Sequence, residues 1–223
     1  MKTLNKFAIA GALAFAASAA NATVLSFEDN DNGLETTEIN QTLELGLFDS
    51  SLGTLDSVEL FIGGEAVTTF ALINNAAQAQ TVSATFSVDM LIQGPAGFAT
   101  QFFGIDLVDT GFVSLAVGDT LDLGSLEAGS GVSATFAAGV DDLSIFQAVG
   151  GGALDLTCDS FSNLGVAGGG GNVVAEQATE AGCFGEIVYN FTEVEPPVDV
   201  PAPASILLLG LGLGALSLRR KVK

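Results

Sequence analysis

Residues 82–90 read Val-Ser-Ala-Thr-Phe-Ser-Val-Asp-Met, with an apolar side chain at every even position and a polar one at every odd position. A period of two is typical of a β-strand that buries one face and exposes the other. The same alternation recurs in 57–62, 132–136 and 187–191. Each of these four segments therefore predicts a half-buried strand.

Shorter apolar runs predict further strands between turn signals such as Asn74-Asn75 and Gly150-Gly151-Gly152. The additional strand candidates are 42–47, 67–73, 102–107, 120–126, 143–149 and 154–161. About ten short strands without a long helical period predict an all-β fold, an antiparallel β-sandwich that forms one domain over 23–194. Helix is expected mainly at the two termini, as a signal-peptide helix and a short transmembrane helix.

The N-terminal segment has the pattern of a secretory signal peptide. Two lysines precede an apolar stretch at 7–17, and Ala20-Asn21-Ala22 supplies the small residues of a cleavage site. We expect signal peptidase to cut after Ala22, so that residues 1–22 are removed and Thr23 comes first. Residues 17–19 are the alternative cleavage site. The chain is therefore predicted to leave the cytoplasm through the Sec machinery.

The C-terminal segment combines a proline motif, an apolar run and a basic end. An acidic linker at 195–200 precedes Pro201, Ala202 and Pro203, and the uncharged run 204–218 follows. The basic cluster consists of Arg219, Arg220, Lys221 and Lys223. As a helix the run would be about 22 Å long, against a hydrocarbon core of about 30 Å. We predict a short transmembrane helix held transiently; a plain C-terminal membrane anchor is the alternative.

This tail, 201–223, resembles the PEP-CTERM sorting signal of exopolysaccharide-producing Gram-negative bacteria. The family's Pro-Glu-Pro-like motif falls on Pro201-Ala202-Pro203, with Ala202 where the commoner signal has Glu. The resemblance implies recognition by an exosortase, a membrane transpeptidase-like enzyme. It also implies transit through the inner membrane and a final place on the cell surface or in the extracellular matrix, in a biofilm setting.

The body resembles the β-rich choice-of-anchor E domain of exported bacterial proteins. The matching segments are 48–58, 142–146 with 150–152, 169–173 and 185–191. That family has no assigned biochemical activity. The resemblance therefore implies a β-rich fold and an exported location only.

Charge is distributed very unevenly along the chain. The termini hold all six basic residues, so the segment 23–200 has 26 carboxylates, no Lys, Arg or His, and a formal charge of −26. Phosphate binding needs cationic side chains, so nucleic acid is excluded as a partner. Such a body repels itself unless its charges are spaced, screened by salt or neutralised by divalent ions.

Cys158 and Cys183 are the only cysteines and lie 25 positions apart. An exported protein meets an oxidising compartment, which favours a disulfide over the alternative of two buried thiols. The bond would join 154–161 to the closing strand and tether the glycine-rich loop 165–171, of which 168–171 is expected to be flexible.

The absence of His, Lys and Arg from 23–200 also limits the catalysis that the body could perform. Without His there is no Ser-His-Asp or Cys-His chemistry, and without Lys or Arg there is no Schiff base or cationic clamp. Paired carboxylates remain, as in glycoside hydrolases, but so many acids bring some pair to the required separation by chance. Because no motif marks a catalytic site, we predict that the protein is not an enzyme.

Calcium is the ligand that the sequence suggests. Residues 28–35 read Glu-Asp-Asn-Asp-Asn-Gly-Leu-Glu, a segment rich in the oxygen ligands that Ca²⁺ prefers. The candidate ligands are Asp29, Asp31, Asn32 and Glu35. Weaker candidates are Asp119, Asp122, Asp141 and Asp142. An EF-hand is excluded because Ile39 stands where its last Glu would be. The alternative is a solvated acidic turn without a metal.

These features predict an exported surface or matrix protein with a structural or adhesive role in an exopolysaccharide setting. One alternative is an extracellular module that binds calcium or a polysaccharide. A carboxylate-based glycan hydrolase is the other. The expected partners are the Sec machinery, signal peptidase, an exosortase, the inner membrane in transit and an exopolysaccharide.

Overall fold

The computed structural model describes residues 22–30 and 32–194. In that part of the chain twelve strands and two short 3-10 segments follow one another. The strands are β1 (Ala22–Asp29), β2 (Glu35–Thr36), β3 (Asn40–Gly46), β4 (Phe48–Asp49), β5 (Gly53–Asn74), β6 (Gln80–Gln93), β7 (Gln101–Asp109), β8 (Val113–Leu115), β9 (Thr120–Ala137), β10 (Gln147–Ala148), β11 (Ala153–Gly168) and β12 (Val173–Glu193). The 3-10 segments are Leu143–Phe146 and Gly169–Gly171.

The longer strands form two antiparallel sheets. Sheet 1 has the order β1-β12-β5-β9, with β2 paired to β12. Sheet 2 has the order β3-β11-β6-β7, with β8 paired to β6. The short strands β4 and β10 form a separate parallel pair. The prediction of an all-β, antiparallel sandwich is therefore confirmed.

The core lies between the two sheets and is built by the alternation seen in the sequence. The even positions of 82–90 on β6 are at most 1% exposed. On sheet 1 the matching inward residues are Val58, Leu60 and Ile62 of β5 and Ile187, Tyr189 and Phe191 of β12. Burying one such side chain contributes about 1.5–3 kcal/mol, so this alternation determines which face of each strand turns inward.

Aromatic side chains fill the centre of this core. Phe48 is fully buried between Tyr189 and Phe191, with ring centroids 5.7 and 4.8 Å away. The Tyr189 hydroxyl donates a hydrogen bond to the Gly46 carbonyl oxygen over 2.8 Å. Burial raises the pKa of Tyr189 far above its usual range, so the hydroxyl stays a donor.

Several strands are longer than predicted. The candidates 57–62 and 67–73 are parts of the 22-residue β5, and 120–126 and 132–136 are parts of the 18-residue β9. Gly63 and Gly64 do not interrupt β5. A β-carbon at Gly63 would overlap the Phe184 ring, and one at Gly64 would lie 3.1 Å from the Met90 Cε. Neighbouring side chains thus occupy the space that the glycines leave.

Two local predictions are wrong. Residues 143–149 are not a strand, because the Asp142 carboxylate accepts the Ser144 backbone N–H over 2.9 Å and begins the 3-10 segment Leu143–Phe146. Only Gln147–Ala148 of that range is extended. The segment 165–171 is not a free loop, since Gly165–Gly168 continue β11 and pair with β6. Only Gly169–Gly171 form the turn into β12.

The predicted disulfide between Cys158 and Cys183 is confirmed. Cys158 lies on β11 of sheet 2 and Cys183 on β12 of sheet 1, with 6.7 Å between their Cα atoms. Both side chains are buried. The bond therefore ties the two sheets together through the core.

Candidate functional site

Most of the predicted processing residues lie outside the described part of the chain. These are Ala20 of the cleavage site, Pro201, Ala202 and Pro203 of the motif, the run 204–218, and the cluster Arg219, Arg220, Lys221 and Lys223. Within 22–30 and 32–194, no helix is long and apolar enough to cross a bilayer.

The predicted cleavage point falls at the first residues of β1. Ala22 pairs with Thr192 and Thr23 with Phe191 on the last strand, β12. The Thr23 hydroxyl also donates to Glu193 Oε1 over 2.9 Å. A cut after Ala22, which stays a prediction, would leave the rest of β1 paired in sheet 1.

Side chains of the acidic segment that was predicted to bind calcium make hydrogen bonds within the fold. Asp29 Oδ2 accepts the Glu44 backbone N–H over 2.7 Å, and the Asn32 amide donates to the Thr42 carbonyl oxygen over 3.0 Å. Glu35 Oε1 accepts from the Gln41 amide over 3.3 Å. Asp31 lies outside the described residues, so the calcium set stays a prediction. Among residues that the structure describes, no three His, Cys, Asp or Glu side chains form a group that could hold a metal.

Gln41 organises this segment, and sequence reasoning did not single it out. Its side chain is 5% exposed. The amide nitrogen donates to the Gly33 carbonyl oxygen over 2.8 Å, and the amide oxygen accepts the Cys183 backbone N–H over 3.0 Å. One buried amide therefore fastens the acidic segment to the strand that carries the disulfide.

The other acidic candidates act as acceptors for backbone groups in turns. Asp119 accepts the N–H of Ala116, Asp122 that of Gly124 and Asp141 that of Ala137, over 3.0, 2.8 and 2.9 Å. In a body without cationic side chains, backbone N–H groups are among the donors that carboxylates can use, beside side-chain amides and hydroxyls. The arrangement serves turn formation.

Asp49 shows the electrostatic effect of this pattern. Its Oδ1 accepts the backbone N–H groups of Ser51 and Gly150 over 2.9 and 2.8 Å. Hydrogen bonds from Ser51, and then from Gly150, lower the pKa of Asp49 below its ordinary value. The pKa of Asp142 is lowered in the same way by Ser144. Both carboxylates are stabilised in the charged form by the turns that they close.

The outer face of sheet 2 combines exposed rings with oriented polar groups; we call it the aromatic face. Phe102 and Phe161 are 59% and 44% exposed. Leu91 pairs with Phe102, and Asp89 pairs with Phe161, so the rings flank the central strand β6. The Asn163 amide donates to Asp89 Oδ2 over 2.6 Å, and the Asn40 amide donates to Asp159 Oδ1.

The outer face of sheet 1 is more acidic. The Phe61 and Phe184 rings are 6.0 Å apart and lie over Gly131 and Gly63 of the neighbouring strands. Beside them Glu28 of β1 pairs directly with Glu186 of β12. Like charges opposite each other on a sheet are unfavourable, so this face disfavours an anionic partner.

A depression of about 640 Å³ lies beside the first residues of β11. It is lined by Leu47, Gln93, Gly94, Pro95, Ile145, Ala153, Leu154, Asp155 and Thr157. Asp155 is the only carboxylate among these residues. The lining therefore offers no second carboxylate for the acid and base roles of a glycoside hydrolase.

Residues 199–221 match the PEP-CTERM protein-sorting motif. The chain thus carries this sorting motif, as its tail predicted, and the motif implies export, exosortase processing and sorting to the cell surface. The resemblance of the body to choice-of-anchor E domains stays a prediction. No curated protein matches the chain.

Among solved structures, the chain is similar to two of infectious bursal disease virus. One is of the Gt strain, with 14% identity over 94% of this chain and 53% of that chain, and a TM-score of 0.18. The other is of the T13 viral particle, with 12% identity over 97% of this chain and 51% of that chain, and a TM-score of 0.18. The chain spans about half the length of these structures.

Proposed function

We propose, from the PEP-CTERM motif at 199–221, that the β-sandwich of this exported, exosortase-sorted chain is a structural or adhesive module of the cell surface or extracellular matrix. The motif is the observation that carries the proposal. The sandwich, closed through its core by the Cys158–Cys183 disulfide, supports it because such a fold tolerates an unprotected extracellular setting.

We infer further that the module acts without catalysis. The residues between 23 and 194 include no His, Lys or Arg. The carboxylates at several turns accept backbone N–H groups, as Asp49 and Asp142 do, and are committed to the fold. This supports a role that depends on surface and stability.

Sorting is tested by changing the prolines of the motif. Pro201→Ala/Pro203→Ala is expected to leave the chain at the inner membrane, with less of it in the surface and secreted fractions. Pro196→Ala/Pro197→Ala is the matched control, because these prolines precede the matched residues 199–221. Immunoblotting of fractionated cells makes the comparison. Equal surface amounts for both variants would contradict exosortase sorting through this motif.

The aromatic face of sheet 2 favours polysaccharide binding as a second function. Sugar rings stack on aromatic side chains, and their hydroxyl groups donate to and accept from planar Asp and Asn groups. Phe102, Phe161 and the pair Asp89–Asn163 present these groups together on the outer face of sheet 2. The acidic body makes a neutral polysaccharide the expected ligand, since an anionic one would be repelled.

Affinity electrophoresis in gels with a neutral polysaccharide tests this second function. Phe102→Ala/Phe161→Ala should remove most of the retardation. Phe112→Ala is the control, because Phe112 is 72% exposed but lies between β7 and β8, away from the aromatic face. If the double variant and the control migrate alike, the aromatic face does not bind the polysaccharide.

A further inference from the structure

Both sheets have an incomplete outer strand on the same side of the sandwich. In sheet 2, β3 pairs only with Ala153–Asp159 of β11, although β11 continues to Gly168. In sheet 1, β1 pairs with Gly185–Thr192 of β12 and β2 with Glu180–Ala181. Within the described chain, no strand pairs with the outer side of 161–168 or of 173–178. We call these two stretches the open edges.

Apolar side chains that should be covered are exposed at the open edges. Leu164 and Val166 lie directly opposite the buried residues Phe86 and Ala84 of β6, so they point toward the core side of sheet 2. They are nevertheless 44% and 43% exposed. The inward residues Leu154 and Leu156, where β3 is present, are at most 2% exposed. The exposure therefore follows from the missing strand.

The open edges are also a concentration of exposed apolar groups. Phe161 and Val174, each 44% exposed, are close to Leu164 and Val166 along the chain but lie on the outer faces of sheets 2 and 1, so the apolar pair at the edge of β11 itself is Leu164 and Val166. Exposed apolar side chains next to unpaired backbone donors and acceptors are typical of an interaction surface. An extended strand would satisfy the backbone groups and cover Leu164 and Val166 at once.

Charge indicates which partner can approach this surface. Residues 160–175 contain no charged side chain. The segment 23–194 as a whole contains 24 carboxylates and no Lys, Arg or His. Two copies that meet through the outer face of sheet 1 would oppose carboxylates such as Glu28 and Glu186. At residues 161–168 of β11, unlike 173–178 with its exposed Glu176, two copies can pair without bringing carboxylates of this segment together.

We propose that a second copy of this chain pairs with the open edge of β11, antiparallel to its counterpart and related to it by a two-fold axis. Residues 161–168 of the two copies would then join sheet 2 into one continuous sheet. Leu164 and Val166 would pack against the same residues of the other copy, as an isologous contact requires. This pairing is independent of the sorting tail.

The mature protein purified from the cell surface or medium tests the proposal by analytical ultracentrifugation at micromolar concentrations. The wild-type protein is expected to sediment as a dimer. Val166→Glu brings a carboxylate to the contact and should weaken the dimer about tenfold or more. Val140→Glu is the matched control, because Val140 is 84% exposed in the turn after β9, and it should leave the dimer intact. Equal melting temperatures for the two variants exclude unfolding as the cause.

Disulfide trapping on whole cells supplies a second readout. Leu164→Cys should form a covalent dimer on a non-reducing gel, whereas Val24→Cys on the edge strand β1 should not. A monomeric wild-type protein at all concentrations would overturn the proposal, as would a Val166→Glu variant that dimerises like the wild type. If a terminal segment of the same chain covers the edge instead, the wild-type protein will be monomeric at all concentrations.

Discussion

At the residue scale, this protein stabilises its polar groups almost without cations. The carboxylates at its turns accept backbone N–H groups, and the buried amides of Gln41 and Asn74 make hydrogen bonds with backbone atoms. Asn74 donates to the carbonyl oxygens of Leu115 and Ala116 over 3.1 and 2.9 Å and accepts the N–H of Ala76 over 2.9 Å. Within the described chain, no buried side-chain nitrogen or oxygen is without a hydrogen-bond partner. Charge is therefore kept at the surface and in turns.

Gln41→Ala tests whether the buried amide fastens the acidic segment. The change leaves the buried Cys183 N–H and the Gly33 carbonyl oxygen without this partner, so we expect the free energy of unfolding to fall by about 1–3 kcal/mol. Urea denaturation measures it. Gln101→Ala is the matched control, since the Gln101 amide donates only to the nearby Ala99 carbonyl oxygen at the surface. If both variants lose the same stability, Gln41 has no special role.

Asp49→Asn tests the turn carboxylate through pH. Because the folded pKa of Asp49 is lowered, its stabilising effect is present above the unfolded pKa and is lost as the pH falls through the folded value. The melting temperature of the variant should therefore be lower than that of the wild type at pH 7 and close to it near pH 2. The exposed Asp106→Asn on β7 should show a smaller difference at pH 7. If the melting temperature of Asp49→Asn lies as far below that of the wild type at pH 2 as at pH 7, this explanation is refuted.

At the element scale, alternation predicted which segments are strands and which face of each is buried. It could not predict where strands end. Gly63-Gly64 resembles a turn in sequence, yet it lies inside β5 because Phe184 and Met90 fill the space above it. Residues 143–146 resemble a strand, yet the Asp142 carboxylate begins a 3-10 turn there.

Among the candidate sites, those defined by local sequence were predictable, and those that depend on distant contacts were not. The sorting tail was predictable because its composition and order are local. Gln41 was not predictable, because its partner Cys183 is 142 positions away. The open edges were not predictable either, since they depend on how far β1 and β3 extend along longer neighbours.

The disulfide between β11 and β12 is the element-scale interaction with the largest expected effect. Removing it with Cys158→Ala/Cys183→Ala should lower the free energy of unfolding by about 3 kcal/mol, from the lost restriction on the unfolded chain and the lost packing. Thermal denaturation with and without reductant measures it. Reductant should destabilise the wild type and leave the variant unchanged. A wild type that reductant does not destabilise would contradict a stabilising role.

At the scale of the whole molecule, the balance is between an apolar core and a surface of like charge. The described chain has no Lys, Arg or His, so its carboxylates have no side-chain cation to pair with. Salt should therefore act on this protein almost only by screening repulsion.

Raising NaCl from about 20 mM to about 500 mM shortens the Debye length from roughly 20 Å to roughly 4 Å. We expect the melting temperature at pH 7 to rise by several degrees. At pH 2–3, where most carboxylates are neutral, the same salt step should have little effect. A melting temperature that falls with salt at pH 7 would show that attractive pairs outweigh the repulsion.

The most direct test of the proposed sorting is the intact mass of the chain recovered from the cell surface and from the medium. We expect a chain that begins at Thr23 and has lost the basic cluster after a cut in the C-terminal tail. A surface pool in which the chain still runs from Met1 to Lys223 would contradict it.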